Sequence, residues 1–152
     1  FINIIFTGPN ADPDSDIIFK MIKDFIKKNK NRSTFFTSMG HLRYLSCLQY
    51  VDAMVGNSSS GITEAPALGI PTINIGDRQK GRIQTLSIIN CEPTLSSINS
   101  AFELLYSAKF QSSLADIANP YGKGEAGKKI ANTLKDIKLP KNIKKTFFDL
   151  KI

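Results

Sequence analysis

The sequence predicts an α/β domain built on a doubly wound parallel sheet. Three observations carry that expectation. Short continuous apolar runs, the signature of strands buried on both faces, alternate with stretches of helical periodicity. The order is strand, helix, strand, helix, strand, helix, strand, which indicates a sheet covered on both sides. The segments 7–12, 39–43, 56–60 and 76–82 all follow a strand, so they gather at the carboxyl edge, where such sheets bind ligands.

Residues 1–6 read as a buried strand that ends at Thr7-Gly8-Pro9. Asp12, Asp14 or Ser15 can cap the helix that follows, in which Ile17, Ile18, Met21, Ile22, Phe25 and Ile26 recur at helical spacing. Residues 29–32 end it, and 34–37 form the second strand. Leu42, Leu45, Leu48 and Tyr50 suggest the next helix. The third strand is 53–55, followed by a short helix at 61–68, and 72–75 is the fourth strand. A fifth falls at 86–91, and the last helices span 98–106 and 125–137. No internal repeat, low-complexity segment or interdomain linker interrupts the pattern. The whole of 1–152 is expected to be one domain, with a basic tail at 138–152.

Composition narrows the function classes. With 41% hydrophobic and 22% charged residues, the 152-residue chain matches an ordinary globular protein with a core of its own. No apolar run approaches membrane-spanning length, and the opening apolar run has no basic n-region or cleavage site. No membrane partner is expected, and the cytoplasm is the default compartment. Cys47 and Cys91 sit within apolar runs as buried thiols, and no Cys/His cluster suggests a metal. The net charge of +7 comes from lysines on one helix and in the tail, without interleaved aromatics. That distribution fits a solvated face better than a nucleic-acid surface.

The segment 56–82 carries the most chemistry. A Gly/Ser-rich turn opens a helix bearing a glutamate, and the next strand ends in a loop with two arginines. Backbone N–H groups and small hydroxyls at a helix start suit a phosphate, which nominates Ser58 and Ser59; capping of the helix is the competing role. Ser60 and Gly61 allow close backbone approach. Glu64, among apolar neighbours, needs partners for its carboxylate, and a ribose diol supplies them; an exposed surface glutamate is the alternative. The combination points to a nucleotide diphosphate.

Residues 56–66, with Gly69-Ile70-Pro71-Thr72 and Gly76-Asp77-Arg78-Gln79, resemble the UDP-N-acetylglucosamine 2-epimerase family. Asn119-Pro120-Tyr121-Gly122-Lys123-Gly124 looks like its C-terminal signature, and Pro9-Asn10-Ala11-Asp12 matches the hydrolysing branch, which makes N-acetylmannosamine for sialic-acid synthesis. The resemblance implies the C-terminal, Rossmann-like half of a GT-B type two-domain enzyme, the half that holds UDP. The partner it implies is the N-terminal domain of the same chain. The reaction it implies abstracts the sugar C2 proton, eliminates UDP to a glycal and adds water. The carboxylates for that chemistry lie mostly on the other half, and no catalytic base is named in this segment. By family position Arg78 meets phosphates or sugar, with Lys80 and Arg82 nearby, and Asn10 approaches the nucleotide sugar. A substrate-contacting histidine belongs in the loop of His41, although ungapped alignment places Ser38 there. Tyr44 can pack beside the uracil. No cofactor or metal is implied, and homo-oligomerisation stays open.

Other readings remain open. One is an enzyme of the same fold acting on another sugar nucleotide, such as GDP-N-acetylglucosamine, or a GT-B glycosyltransferase domain. Another is a non-enzymatic nucleotide- or polyanion-binding module.

Overall fold

The computed structural model describes residues 2–9, 14–122, 124–138 and 144. They divide into two compact units, Phe1–Tyr121 and Gly122–Ile152.

In the first unit, β1 (Ile4–Thr7) pairs in parallel with β2 (Ser33–Phe36), Ile4 opposite Ser33 and Thr7 opposite Phe36. The crossover is α1 (Ser15–Lys28). Of the expected caps, Asp12 lies outside the described residues and Ser15 is already helical. Asp14 holds the cap position, and its carbonyl, not its side chain, accepts the Ile17 N–H at 3.0 Å. The apolar stripe of α1 divides. Phe25 meets the edge of Phe6 at 5.7 Å between ring centroids, and Phe19 meets Phe35 at 5.0 Å. Ile17, Ile18 and Met21 stay exposed, because a two-stranded ladder covers only a narrow arc of the helix.

α2 (Gly40–Leu48) leads to β3 (Met54–Gly56). The helix expected at 61–68 is broken in two: α3 (Ser60–Thr63) and a 3-10 turn, Pro66–Leu68. Pro66 has no N–H to continue the α-helical ladder, so the chain tightens and Leu68 N–H reaches back to Ala65 O at 3.1 Å. β4 (Thr72–Ile75) then pairs in parallel with both β3 and β5 (Ile88–Cys91). The both-face burial expected of every strand is met by β4, the middle strand, in which Thr72, Ile73 and Asn74 are all buried.

The ladders are thus β1–β2 and β3–β4–β5. Between the edges of β1 and β3 lies a cavity of about 120 Å³, lined by Ile5, Thr7, Met54 and Val55 from those strands and by Tyr44 and Leu48 from α2.

α4 (Leu95–Leu105) is capped by the Thr94 hydroxyl, which accepts from Ser97 N–H. α5 (Ala108–Ser113), capped in the same way by Ser107, was not expected from the sequence; six residues are too few to display a period. The core lies where these helices cover β4 and β5. Ile73, Ile89, Cys91, Ala101, Leu105 and Phe110 form one buried cluster.

The second unit holds α6 (Ala126–Asp136), close to the expected helix at 125–137. Most of the expected basic tail lies outside the described residues. Among the described residues, no helix is long and apolar enough to cross a membrane.

Candidate functional site

β3 ends at Gly56, whose φ of 148° favours glycine, and the chain turns through Asn57 into the serines. The Gly61 N–H is the first to reach back as in a helix, to Ser58 O at 3.1 Å. The Ser58 and Ser59 amides therefore precede the intrahelical pattern. The Ser58 hydroxyl accepts the Ser60 N–H at 3.3 Å, a local capping role, while Ser59 makes no side-chain cap. Ser60 is hydrogen-bonded through its hydroxyl to Tyr44 on α2. With only four residues in α3, little macrodipole backs this turn, so its anion-binding capacity rests on N–H groups and hydroxyls.

Gly61 serves packing. An added Cβ would lie 2.6 Å from Thr72 Cγ2, and Thr72 Oγ1 donates to Gly61 O at 2.8 Å. The missing side chain lets α3 sit directly on β4, which fixes the height of the serine turn above the sheet.

Glu64 follows α3 as its C-cap residue, at the break before the 3-10 turn. Its side chain is 36% exposed, and Oε1 stands 3.8 Å from His41 Nε2, on α2. The burial that would make a solitary Glu64 carboxylate costly is absent, and His41 is its neighbour. The structure thus brings His41 and Tyr44, from the first half of α2, beside Glu64 and Ser60, which bracket α3. Burial pushes the Tyr44 phenol above its ordinary pKa; the Ser60 hydrogen bond opposes this and the Glu64 charge reinforces it. Tyr44 is a neutral phenol at physiological pH.

Within 76–82, the first part of the loop after β4, one side chain is buried. Asp77, Arg78 and Lys80 are exposed, whereas Gln79 is 4% exposed. Gln79 Nε2 donates to Asn57 O at 2.8 Å, crossing to the chain just before the serines. Its Oε1 is buried without a hydrogen-bond partner among the described residues. Such an orphan acceptor costs about 1–3 kcal/mol, comparable to the gain from the bond on the other atom.

The outer side of this loop borders a cavity of about 550 Å³ at the carboxyl ends of β4 and β5, with Asp77, Lys80, Arg82 and Glu92 among its lining residues. Along its wall, Asn74 Nδ2 donates to Asn90 Oδ1 and Asn90 Nδ2 donates to Gln84 Oε1, each at 2.8 Å. Tyr121 braces the far end of the loop, its hydroxyl donating to Ile83 O at 2.8 Å.

Among the expected site residues, Ser58, Ser59, Ser60 and Gly61 form one turn, and Glu64 and His41 pair beside it. Arg78 lies on the next loop, exposed. Asn10 lies outside the described residues. Gln79 and the Asn74–Asn90–Gln84 chain were missed as site residues. Asn74 had a signal, a carboxamide in the middle of a buried apolar run; Gln79 had none apart from its place in the quoted motif. Among the described residues no group of three or more His, Cys, Asp and Glu could hold a metal ion.

Comparison with known proteins agrees on one family. The chain is 41% identical over 149 residues to the GDP/UDP-N,N'-diacetylbacillosamine 2-epimerase (hydrolyzing) of Campylobacter jejuni, covering 97% of this chain and 38% of that protein. It is 38% identical, with the same coverages, to the polysialic acid biosynthesis protein P7 of Escherichia coli. The chain thus spans less than two-fifths of the length of these curated relatives. The fold matches the UDP-GlcNAc 2-epimerase of Methanocaldococcus jannaschii, crystallised with UDP-GlcNAc and UDP, with a TM-score of 0.62 at 21% identity over 88% of this chain and 35% of that one. The family model described as UDP-N-acetylglucosamine 2-epimerase matches residues 1–135, and the chain belongs to that family.

Proposed function

We propose that this chain is the UDP-binding, C-terminal half of a hydrolysing UDP-N-acetylglucosamine 2-epimerase, which converts UDP-N-acetylglucosamine and water to N-acetylmannosamine and UDP. The observation that carries the reading is the serine turn after β3 with the Glu64–His41 pair beside it, in a chain of this family. Ser58 and Ser59 offer amides and hydroxyls to the diphosphate. Glu64 accepts from the ribose hydroxyls, and His41, 3.8 Å away, holds the carboxylate in place or meets the ligand itself. Arg78 approaches the phosphates or the sugar from the neighbouring loop. Proton transfer at sugar C2 falls to carboxylates outside these residues, on the N-terminal domain. A cytoplasmic, sialic-acid-type role belongs to the same proposal.

A second reading has its own support. The 41% identical relative is named for GDP/UDP-N,N'-diacetylbacillosamine. Under it, the substrate is a diacetamido sugar on either nucleotide.

Calorimetric titration with UDP, GDP and their N-acetylglucosamine and diacetylbacillosamine conjugates tests both. UDP is expected to bind with a Kd on the order of micromolar to millimolar. Glu64→Ala should lose roughly 1–2 kcal/mol, at the low end for a charged hydrogen-bonding group because the carboxylate is more than a third exposed. Lys80→Ala should change little. The 2′-deoxy form of UDP should lose affinity for the natural chain and not for Glu64→Ala. An unchanged UDP to 2′-deoxy-UDP ratio in Glu64→Ala would refute the ribose assignment. Tighter binding of the diacetylbacillosamine conjugates than of the N-acetylglucosamine ones would favour the second reading, and preference for single-stranded nucleic acid would replace both with a polyanion module.

A further inference from the structure

The loop after β4 has two faces with different tasks. Its outer residues Asp77, Lys80 and Arg82 border the large cavity, and Arg78 sits among them in sequence. Gln79, the buried side chain within 76–82, crosses 22 residues of sequence to donate to the Asn57 carbonyl. Asn57 immediately precedes Ser58 and Ser59. The Gln79 carboxamide thus joins the two loops that flank the carboxyl end of the β3–β4 pair. Other described contacts hold each loop to its own surroundings: Thr72 holds Gly61, Tyr44 holds Ser60 and Tyr121 holds Ile83.

We propose that Gln79 is a positioning residue, fixing the Ser58–Ser59 turn against the Arg78 loop so that a nucleoside diphosphate is gripped between the two. The proposal rests on the nucleotide-binding reading above and goes beyond it by naming what holds the phosphate ligands in register. Two features support it. The hydrogen bond ends on the residue that leads into the phosphate turn, so any drift of the turn relative to the loop stretches it. Its second polar atom, Oε1, is also buried without a partner among the described residues, which offsets the gain from the first. An apolar side chain of the same length removes that orphan, so the carboxamide serves geometry more than folding. The orientation of the amide is set by chemistry: a carbonyl accepts only from the NH2 end, so Nε2 faces Asn57.

The test compares the natural chain with Gln79→Met, which matches its length, and Gln79→Asn, which keeps the carboxamide but falls one methylene short of Asn57. The probes are UDP and uridine, which share base and ribose and differ in the diphosphate. Gln79→Met should melt close to the natural chain and Gln79→Asn somewhat lower, because its shortened carboxamide is buried without reaching Asn57, and both should bind uridine within twofold of the natural chain. Their UDP affinity should fall about tenfold, so the UDP to uridine affinity ratio collapses. A general structural defect would lower both affinities together and leave the ratio intact. An unchanged ratio in either folded variant, or a parallel loss of both ligands, overturns the positioning role while leaving nucleotide binding standing. Should the natural chain itself show no preference for UDP over uridine, the nucleotide-diphosphate reading fails first and the positioning role falls with it.

Discussion

Replacing Gly61 by alanine pushes a methyl group into the contact that seats the serine turn on β4. The new Cβ falls 2.6 Å from Thr72 Cγ2 and 3.3 Å from Thr72 Oγ1. Thr72 is fully enclosed, and its hydroxyl is engaged by Gly61 O, so it cannot swing aside without losing that bond. Two effects compete. Alanine is favoured over glycine inside a helix by about 0.5–1 kcal/mol. Overpacking a closed contact costs about 1–3 kcal/mol. The clash wins because a β-branched neighbour has a stiff χ1 torsion. The net loss should be about 1–2 kcal/mol, or roughly 2–8 °C in Tm for a chain of this size. Thr72→Ser keeps the hydroxyl and removes Cγ2, costing about 1 kcal/mol for one buried methyl. In the double variant the alanine methyl fills the space left by Cγ2. Its stability should therefore lie within about 0.5 kcal/mol of Thr72→Ser alone, giving a favourable coupling of about 1–2 kcal/mol. Urea unfolding followed by far-UV circular dichroism measures all four proteins. Simple additivity of the two single losses would refute the contact as the reason for glycine at this position.

Leu105→Ala, at the centre of the β4–β5 core, should cost about 2–5 kcal/mol in the same unfolding assay, whereas Leu104→Ala on the exposed side of α4 should cost far less. Cys47 should react with iodoacetamide before Cys91, because Cys91 is buried and its thiol is pushed up by burial first and by Glu92 second; peptide mass mapping over time reads the order. Tyr44 has a raised pKa when folded, so its contribution to stability is whole below the unfolded value of about 10 and is lost as pH rises through the folded one. Between pH 9 and 11 the natural chain should lose stability more steeply than Tyr44→Phe, with Cys91 contributing equally to both proteins and cancelling in the difference. Equal slopes would show that the Tyr44 environment does not favour the neutral phenol.

Periodicity and turn chemistry determined the order of elements, because apolar runs and helical stripes record burial locally along the chain. β4 was placed at 72–75 without error, and the other strands shifted by a few residues at their ends. The serine turn was equally legible, since small polar residues between a strand and a helix have few other uses. What the tertiary structure alone decided are relations between segments distant in sequence. The broken helix at 61–68 turned on whether Pro66 would kink the helix or end it. The division of α1 into a packed arc and an exposed one depended on how many strands lay beneath it. Glu64 found His41, and Gln79 found Asn57, only when α2, α3 and the loop after β4 came to the same edge of the sheet. Gly61 was read as room for a ligand, and its tightest neighbour is Thr72, eleven residues on. The sequence records which side chains are available; side-chain partners across a parallel sheet depend on strand order and register, which no local pattern encodes.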